Sequence, residues 1–256
     1  MTEQLAFLDK GSGEKVVLLH GFCESKEIWN LLLPALSQRY HVLAPDLPGF
    51  GENHPINAQV SIESMAMQIA AWMQQHAVDE CHLVGHSMGG YAALALADKY
   101  PEMVKGLCLL HSTARADSDE KQQNRNKTVE FLEKNGVETF VKNFIPTLFA
   151  PSRQKNLQTI IQEVIQLAAK TPLTSAVAAT QAMRDRSEKL DILRKAEYPI
   201  YLIAGKEDSL VPYHDLQEQA KIGANTKLIG LENCGHMAMY EKTEECTNAI
   251  LNFLQQ

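Results

Sequence analysis

Gly85-His86-Ser87-Met88-Gly89-Gly90 is the stretch whose residue types and spacing are best suited to chemistry. It follows an apolar run, Cys81 to Val84, and opens an alanine-rich segment, so the serine falls in a turn between a strand and a helix. A turn of that kind projects the hydroxyl outward at the carboxyl edge of a sheet. Side chains two positions before and after the serine would collide with the neighbouring strand and helix, which calls for glycine at both places. The helix start adds backbone N–H groups and the positive end of a dipole. G-x-S-x-G is a weak pattern by itself and a strong one in this context. The competing reading is a tight turn with an idle serine.

A serine hydroxyl needs a base to attack at neutral pH. Of the nine histidines, His236 lies near the C-terminus in a loop-like stretch after a β-type run, Asn233-Cys234-Gly235-His236-Met237. His214 is a poorer base because it falls inside the next predicted helix. The third group of such a set comes between serine and histidine in the chain. Tyr201 to Ala204 ends at Gly205-Lys206-Glu207-Asp208, which puts Asp208 in a loop leaving a strand, with Glu207 as its competitor. Its task would be to hold the imidazole tautomer and stabilise the imidazolium. An oxyanion hole is also required. The backbone N–H groups of Phe22, in the loop His20-Gly21-Phe22, and of Met88 are the natural donors. His20 is expected to brace that loop without moving a proton.

These residues need elements to position them. Val16 to Leu19, Tyr40 to Ala44, Cys81 to Val84, Gly106 to Leu110, Tyr198 to Ala204 and Thr226 to Ile229 read as strands apolar on both faces. Ile28 to Leu36, Ile62 to Gln75, Met88 to Asp98, Tyr213 to Lys221 and Met239 to Phe253 read as helices between them. Ser61 and Glu63-Ser64 supply a start for the second. This alternation predicts an α/β protein with a doubly wound, mostly parallel sheet. From about 112 to 187 the rhythm changes to helical runs only, Thr128 to Lys134, Val137 to Phe144, Leu157 to Ala169 and Ser175 to Met183, punctuated by Gly136, Pro146, Pro151 and Pro172. Polar Asp117 to Lys127 reads as a solvated connection or a helix start. The expected division is a core of 1–111 and 188–256 with a helical insertion at 112–187.

Bulk properties narrow the partners. The 256 residues allow one large α/β domain or two small ones, and a net charge of -7 without a Lys/Arg block offers no footprint for nucleic acid or anionic membrane. No apolar run approaches a membrane span, and Met1 to Lys10 has no basic region followed by an apolar run, so no secretory leader is expected. The five scattered cysteines form no CxxC pair or zinc-like spacing, which fits reduced thiols in a cytoplasmic protein. The expected partner is a small-molecule substrate, and the expected state a monomer or homodimer.

His20-Gly21-Phe22, Asp46-Leu47-Pro48-Gly49-Phe50-Gly51, the Ser87 motif, Ala204-Gly205-Lys206-Glu207-Asp208 and Gly235-His236, in this order, resemble the α/β-hydrolase superfamily over nearly the whole chain. The resemblance implies a helical cap at 112–187 and hydrolysis through an acyl-enzyme with no metal or organic cofactor. The nearest flavour is the small capped carboxylesterases and enol-lactonases. Two departures stand out. The short part before Gly11-Ser12-Gly13 suggests a sheet one strand poorer at that edge. Glu52-Asn53-His54 follows Phe50-Gly51 where the family often has serine, which should alter the rim of the site.

Cleavage of an ester, thioester or lactone of a small or medium-sized molecule is thus expected. The rivals are C–C bond hydrolysis, perhydrolysis or a lyase reaction at the same site, and a ligand-binding or sensing protein with residual activity. A dehalogenase is disfavoured, because it would need aspartate in place of Ser87. Weaker candidates for touching substrate are His20, Cys23, His111, Arg115, Phe144 and Met237, with Arg184 and Arg186 possible partners of a substrate carboxylate.

Overall fold

Apolar runs that bury both faces form the centre of the sheet. The computed structural model describes residues 5–56 and 59–256. Among them, seven strands make one sheet: β1 Phe7–Lys10, β2 Lys15–Leu19, β3 His41–Pro45, β4 Cys81–His86, β5 Val104–Leu110, β6 Ile200–Gly205 and β7 Thr226–Leu231. Their spatial order is β1-β3-β2-β4-β5-β6-β7, with β1 antiparallel to β3 and every other pair parallel. This is the α/β, doubly wound, mostly parallel sheet that the alternation predicts. The edge beyond β3 carries the single short strand β1.

The helices are α1 Leu33–Leu36, α2 Ile62–Gln75, α3 Met88–Lys99, α4 Asp119–Thr147, α5 Pro151–Gln154, α6 Gln158–Ala168, α7 Leu173–Asp185, α8 Leu190–Lys195, α9 Tyr213–Ala220, α10 Ala238–Glu241 and α11 Thr243–Leu254. α3 packs on β2, β4 and β5 and against α2, while α11 packs on β5, β6 and β7 and against α1. With both faces covered, β4 and β6 are buried at every position. α2 begins with a reciprocal cap: Ser61 Oγ accepts from the Ser64 amide at 3.0 Å and Ser64 Oγ from the Ser61 amide at 2.9 Å.

Two predicted helices differ in the structure. Ile28 to Leu36 is a 3-10 turn, Lys26–Trp29, followed by the single turn α1, because Pro34 has no N–H to bond back to the preceding turn and so stands in the first turn of a new helix. Met239 to Phe253 is broken at Lys242 (φ -142°, ψ 52°) into α10 and α11. Between β5 and β6 the chain holds α4 to α7, followed by the short α8 that leads into β6. In α4, Gly136 takes φ 77°, ψ 164° and kinks the helix, as its position between two periodic runs predicts. Asp119 to Lys127 form the first turns of α4, and Ser118 Oγ accepts from the Lys121 amide at 3.3 Å. Among the described residues, no helix is long and apolar enough to cross a membrane.

Parallel strands end at one edge. The loops after β2, β4, β5, β6 and β7 therefore bring Phe22, Ser87, His111, Asp208 and His236 to the same rim. Left-handed backbone gathers there too. Among the described residues, Cys23, Ser87, His111 and Asn233 have φ of 56°, 51°, 50° and 48° and sit in four of these rim loops. Non-glycine residues hold such angles at a cost that the surrounding packing must offset.

Candidate active site

The turn carrying Ser87 is built as its glycines suggest. A Cβ on Gly85 would meet the backbone of Gly89 and Gly90, and one on Gly89 would run into the carbonyl oxygens of Leu19 and His20. β4 and α3 therefore close tightly on β2, and Ser87 is held between them with its amide donating to the Leu110 carbonyl at 3.0 Å. The Ser87 carbonyl in turn accepts from Ser112 Oγ at 2.7 Å. Ser87 is partly exposed in a largely buried surround, and among the described residues its Oγ has no hydrogen-bond partner. Long or unformed bonds between nucleophile and base are common before substrate arrives.

The two residues expected to act as base and orienter lie in hydrogen-bond contact. His236 Nδ1 and Asp208 Oδ2 are 2.8 Å apart, and both residues are buried. Asp208 Oδ1 accepts from the amides of Leu210 (2.9 Å) and Val211 (3.0 Å). Burial opposes ionisation of Asp208 most, but the neighbouring His236 and the hydrogen bonds from His111 and His236 overcome it and hold the carboxyl far below the usual carboxylate range. Glu207, the competitor, is exposed. His214 is exposed on α9 and pairs with Asp215.

The predicted oxyanion donors come from neighbouring strands, since β2 pairs with β4. The Phe22 amide has no acceptor among the described residues. Met88 is the first residue of α3, where no preceding helical turn exists for its N–H. His20 braces the loop as expected: its Nε2 accepts from the Leu47 amide at 2.8 Å and its Nδ1 lies 2.9 Å from the Gly21 carbonyl.

The weaker candidates fare differently. His111 is fully buried, and its Nδ1 lies 3.0 Å from Asp208 Oδ2, so that nitrogen is engaged by the carboxylate. Met237 and Cys23 are buried, and burial pushes the Cys23 thiol up in pKa. Arg115 is exposed, beside Val211, Pro212 and Asp215, with its carbonyl held by Arg186. Phe144 stacks on Phe140 at 5.0 Å, and both meet the Phe22 ring edge-on at 6.5 and 6.1 Å. Arg184 binds Asp185 and Asn126. Arg186 is buried against Asp117 at 2.7 Å and lies 3.9 Å over the Tyr91 ring. Asn53, in the departing segment, donates to the carbonyls of Asp46 (2.8 Å) and Leu47 (3.1 Å), while its own oxygen accepts from Ala6.

Two carboxylates of the site escaped the sequence reading. Glu24 accepts from the Gly21 amide and lies 2.9 Å from His86 Nδ1, while His86 Nε2 lies 3.0 Å from the His236 carbonyl. Both partners of His86 are acceptors, so both its nitrogens donate and the ring is an imidazolium. Burial works against that charge, yet Glu24 outweighs it and raises the affinity of His86 for its proton, while His86 holds Glu24 below its ordinary range. Glu241, buried on α10, accepts from the amides of Ala150, Gly235 and Met237 at 2.8, 3.0 and 3.1 Å. The available signal was slight: Glu24 and Glu241 each stand at the polar end of a short apolar run, Phe22-Cys23 and Met237 to Tyr240.

Among the described residues, the cluster whose donor atoms could hold a metal is His111, Asp208 and His236, all within 4.8 Å of one another. Both oxygens of Asp208 are already filled by two amides and two imidazoles, which makes the cluster a closed hydrogen-bond network.

Comparison with known proteins places this geometry in context. A family profile described as alpha/beta hydrolase fold matches residues 15–243. A thermophilic esterase from Thermogutta terrifontis, solved with malate bound, is 30% identical, with a TM-score of 0.93 over 98% of this chain and 93% of that one. A 2-hydroxy-6-oxononadienedioate/2-hydroxy-6-oxononatrienedioate hydrolase from Pseudomonas sp is 27% identical over 96% of this chain and 90% of that protein. The dihydrolipoyllysine-residue acetyltransferase component of the acetoin cleaving system of Pseudomonas putida is 26% identical over 95% of this chain, which spans 64% of the length of that relative.

Proposed function

The chain belongs to the alpha/beta hydrolase fold family, and from that premise we propose that it is a serine hydrolase cleaving an ester, thioester or lactone of a small or medium-sized molecule through an acyl-enzyme. One observation carries the reading: Ser87 in a left-handed turn (φ 51°) between β4 and α3, at the same sheet edge as a buried His236–Asp208 pair 2.8 Å apart.

In this mechanism the Ser87 hydroxyl attacks the carbonyl carbon while His236 Nε2 takes its proton. The amides of Phe22 and Met88 hold the developing oxyanion. Asp208 keeps the proton on His236 Nδ1, leaving Nε2 free as the base, and stays ionised while the imidazolium exists. His236 then protonates the leaving group, and water attacks the acyl-enzyme by the same steps in reverse roles.

Residues 112–187 act as a cap whose Phe140 and Phe144 join Phe22 in an aromatic wall. That wall favours an apolar acyl or alcohol group. A neutral ester is favoured over a dienoate, because both arginines considered as carboxylate partners are bound to acids of the chain itself, Arg184 to Asp185 and Arg186 to Asp117.

Ser87→Ala should abolish labelling by a fluorophosphonate probe and lower p-nitrophenyl acetate turnover by at least about 10³-fold, with the melting temperature preserved. Undiminished turnover in that variant rules the mechanism out. A panel of p-nitrophenyl esters from acetate to palmitate, run with a lactone, a thioester and a vinylogous 1,5-diketone, separates ester from C–C bond cleavage.

A further inference from the structure

Asp208 Oδ2 lies within hydrogen-bond distance of two imidazoles, His236 Nδ1 at 2.8 Å and His111 Nδ1 at 3.0 Å. His111 follows the last residue of β5, its amide donates to the Ile203 carbonyl at 2.8 Å, its backbone is left-handed (φ 50°) and its side chain is fully buried. The Gly205 amide also points at Nδ1, at a longer 3.3 Å. An ionised carboxylate at 3.0 Å is the stronger claimant on that nitrogen, so Nδ1 carries the proton and donates to Asp208. Nε2 is then a buried acceptor without a partner, which costs less than the orphaned N–H of the other tautomer. Burial pushes the pKa of His111 down to about 4, so the ring is neutral.

The geometry points to His111 as a positioning residue: it locks the Asp208 carboxylate and draws off part of the negative charge that would otherwise stabilise the protonated form of His236. This rests on the roles given above to Ser87, His236 and Asp208. The titratable groups facing His111 are Asp208 from the loop after β6, His236 from the loop after β7 (ring centres 5.4 Å apart) and His86 from β4 (6.0 Å), the last paired with Glu24. The Cys234 thiol, which burial keeps protonated, lies near the same carboxylate. A neutral donor on the shared oxygen competes with the N–H of His236 for its charge.

The test compares His111→Asn with His111→Gly. Both residues accept a left-handed backbone, but only asparagine keeps an N–H near the position of Nδ1. His111→Gly should move the acid limb of the kcat/KM–pH profile upward by about 0.5–1 pH unit, with the limb in His111→Asn staying at the wild-type position. If His111→Gly does not fold, His111→Ala is read in its place. An acid limb unmoved in the glycine variant, or moved equally in both variants, overturns the proposal and leaves His111 a packing residue. The same titration followed by NMR of the His236 ring in a Ser87→Ala background needs no turnover. It reads the effect of His111 even if Ser87 proves not to be the nucleophile, so the two failures are separable.

Discussion

The His236 amide donates to the Leu148 carbonyl at 2.6 Å, fastening the loop that carries the proposed base to the end of α4. The fastening is reinforced by Glu241, whose carboxylate gathers the amides of Gly235 and Met237 on one side and of Ala150 on the other. The helical segment that supplies Phe140 and Phe144 thus also sets where the imidazole stands.

Glu241→Gln tests that link. The amide NH2 would face backbone N–H groups that now donate to a carboxylate, leaving buried donors unsatisfied at a cost of about 1–3 kcal/mol. kcat toward p-nitrophenyl acetate should fall about 10-fold or more, with KM changed less than threefold. A variant with wild-type kcat and an unchanged melting temperature would show that the loop is held by other contacts.

The Glu24–His86 pair makes stability depend on pH in two directions. Glu24 is held below its ordinary 4.5, so its contribution is present above that value and is lost as pH falls through the lower folded value. His86 is raised above its ordinary 6.5, so its contribution is full below that value and is lost as pH rises through the folded value. The melting-temperature difference between wild type and Glu24→Gln should therefore peak between roughly pH 4.5 and 6.5 and shrink on both sides. A difference that stays flat from pH 3 to 9 contradicts the ion pair.

Phe144→Ala removes one ring of the aromatic wall beside Phe22. KM for p-nitrophenyl hexanoate should rise about 5- to 20-fold, with acetate nearly unaffected, because each lost apolar contact to a longer acyl chain weakens its binding by about 1–3 kcal/mol. Equal effects on both esters would place the acyl chain elsewhere.

The elements nearest the site were legible because their signals are local. The apolar runs that became β4 and β6 report burial on both faces, Gly85 and Gly89 report a close approach at the turn, and Gly136 reports a break between two helical runs. The apolar spacing of Ile28 to Leu36 suggests one helix, but the missing N–H of Pro34 outweighs that spacing in the molecule. The single helix expected over Met239 to Phe253 failed at Lys242 for a tertiary reason: Glu241 turns its carboxylate back onto the loop before α10.

By itself the sequence determined which residues leave strands, and therefore that Ser87, Asp208 and His236 belong to loops at strand ends. It could not determine what else those loops meet. His111 with Asp208, Glu24 with His86 and Ala150 with Glu241 are separated by 97, 62 and 91 residues. Their pairing follows from the order of strands in the sheet and from the path of the helical segment. Period and turn chemistry act over a few residues, whereas a buried carboxylate takes whichever donors the closed fold brings to it, and only the tertiary structure decided which they were.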